Sequence, residues 1–134
     1  MKNVVKIALA VVAVSLVFGC ATIQYFLTQE VGWSANATEW RGQNGMQVTV
    51  RLPGNGSAHT VWGTDIYTDD SSIGTAAVHA GIIDFETGGI VTIEIRPGQE
   101  SYQGSTRNGV TTEDYGSYAG SYVFVVEEEE PAEE

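Results

Sequence analysis

The segment from Val61 to Ile83 narrows the range of possible folds more than any other part of the sequence, because it joins a predicted strand to a predicted helix. An apolar strand pattern over 61–67 runs into an Asp-Asp-Ser-Ser sequence and then into a run of small residues. Ser71 is a natural N-cap residue, and the two aspartates just before it oppose the helix dipole. Gly81 stands where a left-handed residue commonly ends a helix.

The predicted helix is apolar on two faces. One stripe follows the i, i+3, i+4, i+7 spacing and consists of Ile73, Ala76, Ala77 and Ala80. The other side carries Gly74, Val78 and Ile82. A helix on the surface of a domain would be polar on one of these sides. Because small residues also let neighbouring backbones approach closely, we expect this helix to be packed between layers.

Three further strands are predicted from alternation and from turn residues. Residues 46–52 alternate apolar with polar side chains, and a Pro-Gly sequence ends this strand. Residues 90–95 form a strand that begins after a Gly-Gly turn and ends before Pro97. Residues 121–126 form the last one.

The segment 61–83 resembles part of the LCCL domain, an extracellular module, and so do GGIVTIEIRPG, YQGSTRNGV and SYVFVV further along the chain. The resemblance covers about Trp40 to Val125. It implies one α+β domain in which a short central helix is packed between small antiparallel β-sheets. It also implies a domain without catalytic chemistry, of a family proposed to bind lipopolysaccharide or other extracellular ligands.

Two family cysteines are replaced in this chain. The sequence SSIGTAAVHAG looks like the family's Ser-Ser-Ile-Cys motif, with Gly74 at the cysteine position. The sequence Arg51-Leu52-Pro53 resembles the family's Cys-Pro step, with Leu52 at the other cysteine position. The resemblance therefore implies that both thiols of one disulfide pair are missing, and we expect Leu52 to pack over Gly74. We also expect cysteines placed at both positions to form a disulfide.

The N-terminal residues have the pattern of a bacterial secretory signal. Two lysines flank the start of an apolar run, 7–18, which is followed by a glycine and by Cys20. A cysteine after Val17-Phe18-Gly19 resembles the lipobox of bacterial lipoproteins, which implies a signal peptide at 1–19 and lipidation of Cys20. An uncleaved anchor helix through residue 27 is the alternative. We assign residues 20–38 to a lipidated tether and 39–126 to the LCCL-like domain.

The charge of the chain is strongly acidic. The formal net charge is −11, and cleavage before Cys20 would leave no lysine in the mature protein. Nucleic acid and anionic membrane surfaces are therefore poor partners. Dense like charges repel one another and cannot form a core, so residues 127–134 are predicted to be a disordered acidic tail.

The sequence contains no complete catalytic or metal-binding motif. The residue types of a serine-histidine-aspartate triad are present in Ser71 or Ser72, His79 and Asp84. No Gly-x-Ser-x-Gly nucleophile elbow accompanies them. We expect His79 to be a structural imidazole beside the buried stripe. One cysteine and two distant histidines cannot form a zinc site. We therefore predict no catalytic residues, no metal and no cofactor.

Aromatic and polar residues on glycine-rich segments suit the recognition of sugars or peptides. The candidates for ligand binding are Tyr102, Arg107 and Asn108. The sequence thus predicts a non-catalytic binding module, anchored by lipid in the bacterial cell envelope, whose ligand is a glycan, lipopolysaccharide or a protein. Ala21 after the cysteine favours the outer membrane. The alternatives are a structural component of the envelope and a hydrolase using His79.

Overall fold

The computed structural model describes residues 28–126, so the predicted signal peptide, Cys20 and the acidic tail lie outside the described residues. The described part contains one α-helix, α1 (Ile73–His79), and a short 3₁₀ helix (Thr38–Trp40). Its strands are β1 (Gln29–Glu30), β2 (Gln47–Leu52), β3 (Gly63–Thr64), β4 (Ile66–Thr68), β5 (Gly89–Gln99), β6 (Thr106–Arg107), β7 (Val110–Thr111) and β8 (Tyr118–Phe124). No helix in this part of the chain is long and apolar enough to cross a membrane.

Six strands form the main sheet, in the order β1-β2-β5-β8-β4-β3, and β6 pairs with β7 in a second small sheet. All neighbours in the main sheet are antiparallel except β1 and β2, which run parallel. The predicted α+β class, with one short helix and two small sheets, is confirmed. The parallel pairing of β1 with β2 adds a short edge strand to the main sheet.

The helix α1 is buried along its whole length, as its two apolar faces predict. Its N-cap is Ser72 and not Ser71, because the Ser72 hydroxyl accepts the hydrogen bond from the Thr75 amide at 3.1 Å. Ser71 instead accepts a hydrogen bond from the Trp62 amide at 2.9 Å, which ties the start of the helix to the residue before β3. Gly81 has a φ of +84°, which confirms the predicted left-handed end.

The predicted contact between Leu52 and Gly74 is confirmed. A β-carbon built on Gly74 would lie 3.0 Å from Leu52 Cδ1. It would also lie 2.5 Å from Cε3 of Trp33, a residue that is only 7% exposed and that the sequence had assigned to the tether. Trp33 donates a hydrogen bond from Nε1 to the Pro53 carbonyl at 2.9 Å, and Ala37 is fully buried. Residues 28–38 therefore belong to the folded domain, which begins earlier than the predicted residue 39.

Two strands differ in extent from the sequence pattern. The predicted strand over 61–67 is interrupted at Asp65, which has a φ of +69° and separates β3 from β4. The strand β5 does not end before Pro97 but continues to Gln99, because it is paired with β8 on that side and Ser121 donates its hydroxyl to the Pro97 carbonyl at 2.8 Å. This long β5 carries the chain to the edge of a cavity that Gln99 lines.

Candidate binding site

A cavity of about 510 Å³ lies between the β3–β4 turn and the segment 99–107. Thr64 and Ile66 line it on one side. Neutral polar side chains on the other side contribute amides and hydroxyls, and these are Gln99, Ser101, Gln103 and Ser105. Arg107 also lines the cavity and supplies a guanidinium. A smaller cavity of about 120 Å³ shares Ile66 and Gln99 with it and extends to Arg96. The surface therefore offers several hydrogen-bonding groups and more polar than apolar area.

Arg107 is presented by a tight hairpin between β6 and β7. The two turn residues, Asn108 and Gly109, have φ values of +53° and +79°, which match the type I′ turn that Asn-Gly favours. Asn108 does not line the cavity; its Nδ2 donates to the His79 carbonyl at 2.8 Å and fastens the hairpin to the end of α1. The Arg107 guanidinium is paired with Asp65 at 2.8 Å. Both side chains are about half exposed or more, so solvent screens this ion pair and it contributes little to stability.

Tyr102 lines the same cavity as Arg107, but it is only 4% exposed. Its hydroxyl accepts the Gln99 amide hydrogen at 2.9 Å and reaches the Gly120 carbonyl at 3.4 Å. Burial raises the pKa of Tyr102 above its usual range. Tyr102 therefore forms a rigid wall of the cavity. Of the three sequence candidates, two lie at the cavity and Asn108 supports it from behind.

His79 is fully buried, which confirms the expected structural imidazole. Its Nδ1 lies 3.0 Å from the Tyr67 hydroxyl and its Nε2 lies 3.1 Å from the Ser105 hydroxyl. Burial lowers the pKa of His79, while the Ser105 carbonyl opposes that shift by accepting a hydrogen bond from the ring. The lowered pKa favours the neutral ring, and each ring nitrogen lies within hydrogen-bond distance of one hydroxyl group.

The surroundings of His79 bear on the hydrolase alternative. The ring is completely buried, and its two nitrogens contact the hydroxyl groups of Tyr67 and Ser105 and not a carboxylate that would orient it for proton transfer. The triad suggested by the sequence letters is not assembled, since Asp84 accepts hydrogen bonds from the amide and hydroxyl of Thr87 and does not contact the ring. Within residues 28–126 no three histidine, cysteine or acidic side chains come together to hold a metal ion.

A second cluster, which sequence reasoning missed, surrounds Arg41. Its guanidinium makes a bidentate ion pair with Asp69, with Nε–Oδ2 and Nη2–Oδ1 distances of 2.8 and 2.7 Å. The Asp69 side chain is completely buried, and the pairing raises the pKa of Arg41. Arg41 also lies over the Tyr118 ring, 5.1 Å from its centroid. No spacing or motif connects positions 41, 69 and 118, so only the fold could reveal the cluster.

Comparison with known proteins identifies one family. The family model described as LCCL domain matches residues 28–122. Cysteine-rich secretory protein LCCL domain-containing 2 of Homo sapiens is 49% identical over 57 residues, which are 42% of this chain and 12% of that protein. Clotting factor C of Tachypleus tridentatus is 35% identical over 98 residues, 72% of this chain and 10% of that protein. Vitrin of Homo sapiens is 46% identical over 50 residues, 37% of this chain and 7% of that protein. The chain thus spans about a tenth of the length of these curated relatives.

Proposed function

This chain belongs to the LCCL domain family, and on that premise we propose that it is a binding module without catalytic chemistry. The observation that carries the proposal is the cavity beside Arg107, with its rim of neutral polar side chains. Such a surface recognises a ligand rich in hydroxyl groups, and the guanidinium adds a place for one carbonyl, phosphate or carboxylate group. The ligand class is a glycan, with lipopolysaccharide included, or a surface protein.

The hairpin and side chains of the site are held in place before a ligand binds, and this supports the proposal. The turn at Asn108 and Gly109 fixes the hairpin, and the bond from Asn108 to the end of α1 holds that hairpin against the core. Ser105 is held at the same time by His79 and by the Thr64 hydroxyl. Side chains held in this way lose little conformational freedom on binding, which improves affinity.

The proposed place of action is the bacterial cell envelope. The apolar run that ends in Gly19 and Cys20 supports this part of the proposal, because it has the pattern of a secretory signal followed by a cysteine that can be lipidated. A lipid on Cys20 would hold the domain at the membrane surface, and the outer membrane is the favoured one.

The proposal is tested by calorimetric titration of the domain with purified lipopolysaccharide, with cellohexaose and with chitohexaose. We expect at least one of these ligands to bind. Replacing Arg107 by glutamine should then weaken binding about tenfold, because a hydrogen bond to a charged group contributes about 1.5–3 kcal/mol. The matched control is Arg51→Gln, which removes an equally exposed arginine paired with Glu30 at 3.8 Å. Equal effects of the two substitutions would show that Arg107 acts only through net charge.

A further inference from the structure

Three aromatic rings form a connected surface beside the cavity, called here the aromatic platform: Trp62, Tyr115 and Tyr118. The centroids of Trp62 and Tyr115 are 6.1 Å apart with an interplanar angle of 68°. Those of Tyr115 and Tyr118 are 5.5 Å apart at 83°. Both are edge-to-face contacts, which fix the rings relative to one another. Tyr115 is nevertheless 45% exposed, so a ring held in a fixed orientation remains open to solvent.

Arg41 lies at the Tyr118 end of the platform, and its guanidinium is held in one position. Its two bonds to the buried carboxylate of Asp69 hold it, and its side chain is still 38% exposed. Its Nη2 also donates to the Tyr118 hydroxyl at 3.1 Å. Nη1 makes no hydrogen bond to any residue of the described part, so this nitrogen of a partly exposed side chain is available to donate to a ligand.

The platform is next to the cavity described above. Tyr115 is paired with Tyr102 across an antiparallel bridge, with N–O distances of 2.7 and 3.0 Å in the two directions. Tyr102 lines the cavity, and residues paired in this way have α-carbons about 5.5 Å apart. Tyr115 is therefore the direct backbone neighbour of a cavity residue, at a separation close to the length of one sugar ring.

The charges select the class of ligand. The net charge of −11 disfavours a polyanion. A cationic side chain is disfavoured at Tyr118, because Arg41 already lies over that ring and would repel it. What remains is a neutral ligand with a flat apolar face and with hydroxyl groups at its edge. Pyranose rings of β-linked glucose or N-acetylglucosamine have this form.

We propose that the aromatic platform is a second subsite for a neutral oligosaccharide, in which a pyranose ring stacks on Tyr115 and Arg41 donates to one of its hydroxyl groups. This inference rests on the proposed function, because it extends the ligand from the cavity across the Tyr102–Tyr115 pair. It adds a residue, Tyr115, and a ligand class that the cavity alone does not define.

The test is calorimetric titration of the folded domain with cellohexaose and chitohexaose. Replacing Tyr115 by alanine should weaken binding about fivefold by loss of stacking, and Tyr115→Phe should bind within about twofold of the original protein. Tyr115→Leu keeps an apolar side chain without a ring face and should behave like the alanine variant. Tyr115 is exposed, and thermal unfolding of each variant verifies that the domain is folded before titration.

The other outcomes separate this inference from the proposed function. Loss of binding in Arg107→Gln with unchanged binding in Tyr115→Ala would support the cavity and overturn the platform. Loss in Tyr115→Ala with unchanged binding in Arg107→Gln would support the platform and overturn the role of the cavity. If neither hexasaccharide binds at millimolar concentration, the platform inference is overturned, and binding of lipopolysaccharide would still support the proposed function.

Discussion

Leu52 and Gly74 occupy the positions at which the family resemblance places a pair of cysteines. A disulfide of this kind typically contributes about 2–4 kcal/mol to stability. Here Leu52, 2% exposed, and the ring of Trp33 fill the space above Gly74. Complete burial of one leucine side chain contributes about 1.5–3 kcal/mol, which is comparable. Apolar contact therefore replaces the covalent link, and the glycine is required by the ring above it.

This contact predicts the effect of adding one methyl group. We expect Gly74→Ala to cost about 1–3 kcal/mol through overpacking, because the new β-carbon would meet Trp33 at 2.5 Å. Alanine returns about 1 kcal/mol of helix propensity, so the free energy of unfolding should fall by up to about 2 kcal/mol. Urea unfolding measures it. The control is Gly116→Ala, where a β-carbon meets nothing within 4 Å, and a similar loss there would refute the packing argument.

The same geometry changes the expectation for a restored disulfide. A cysteine side chain at position 74 has a β-carbon too, so the ring of Trp33 has to move before two introduced sulfurs could join. The substitutions Leu52→Cys and Gly74→Cys therefore need a smaller residue at position 33 to bridge without strain.

At the scale of elements, the chain of hydrogen bonds through His79 connects β4, α1 and the segment 99–107. Tyr67 lies in β4, His79 ends α1 and Ser105 lines the cavity. The pKa of His79 is lowered by burial and, to a smaller degree, by Arg107, while the Ser105 carbonyl and Asp65 act in the opposite direction. A neutral imidazole is thus part of the connection between the core and the binding surface.

The lowered pKa predicts a dependence of stability on pH. The unfolded chain takes up the proton near the ordinary value of 6.5, whereas the folded protein does so only at lower pH. The contribution of His79 is therefore complete above pH 6.5 and is lost as the pH falls through the lowered pKa, by at most about 1.4 kcal/mol per pH unit. We expect urea unfolding between about pH 7.5 and about pH 5.5 to show this fall.

Two variants separate His79 from the carboxylates that titrate in the same experiment. His79→Gln should lower stability at every pH and lose the part of the slope that His79 causes. His59→Gln, which removes an exposed imidazole, is the matched control for the loss of one histidine. An unchanged slope in His79→Gln would mean that the imidazole is protonated equally in the folded and unfolded states.

Elements with local signals were predictable, and contacts between distant residues were not. The apolar stripes and Gly81 define α1, and alternation defines β2, because both depend on neighbours in sequence. The cavity depends on Asp65, a non-glycine residue with a positive φ, and nothing in the strand pattern indicates that break. The Arg41–Asp69 pair joins residues 28 positions apart, so its partner could not be chosen among the acidic residues of the sequence. Trp33 was missed because a single aromatic among polar residues has no periodicity.

At the scale of the whole molecule, the described domain is connected at both ends to segments of different chemistry. An apolar run and Cys20 precede it, and a run of glutamates follows it. A chain anchored by several acyl groups is held stably, since each buried CH₂ contributes about 0.8 kcal/mol. The acidic surface does not add attraction to an anionic membrane. Anchoring would therefore depend on the lipid alone.

This prediction is tested by the intact mass of protein purified from membranes of the native producer. We expect a species that begins at Cys20 and carries additional acyl mass. The Cys20→Ala variant should lack this mass and should leave the membrane fraction. A full-length, unacylated protein that remains in membranes would identify residues 1–27 as an uncleaved anchor.

The strand directions in the main sheet determine at which end of the sheet the chain enters and at which end it leaves. Since β1 is parallel to β2, and both β2 and β8 are antiparallel to β5, the strands β1 and β8 run the same way. The chain consequently enters β1 at one end of the sheet and leaves β8 at the opposite end. A pull applied between these two points acts along the strands and loads the β1–β2 and β5–β8 pairs in shear. A domain that is connected in this way resists mechanical extension better than one whose strands are peeled apart singly.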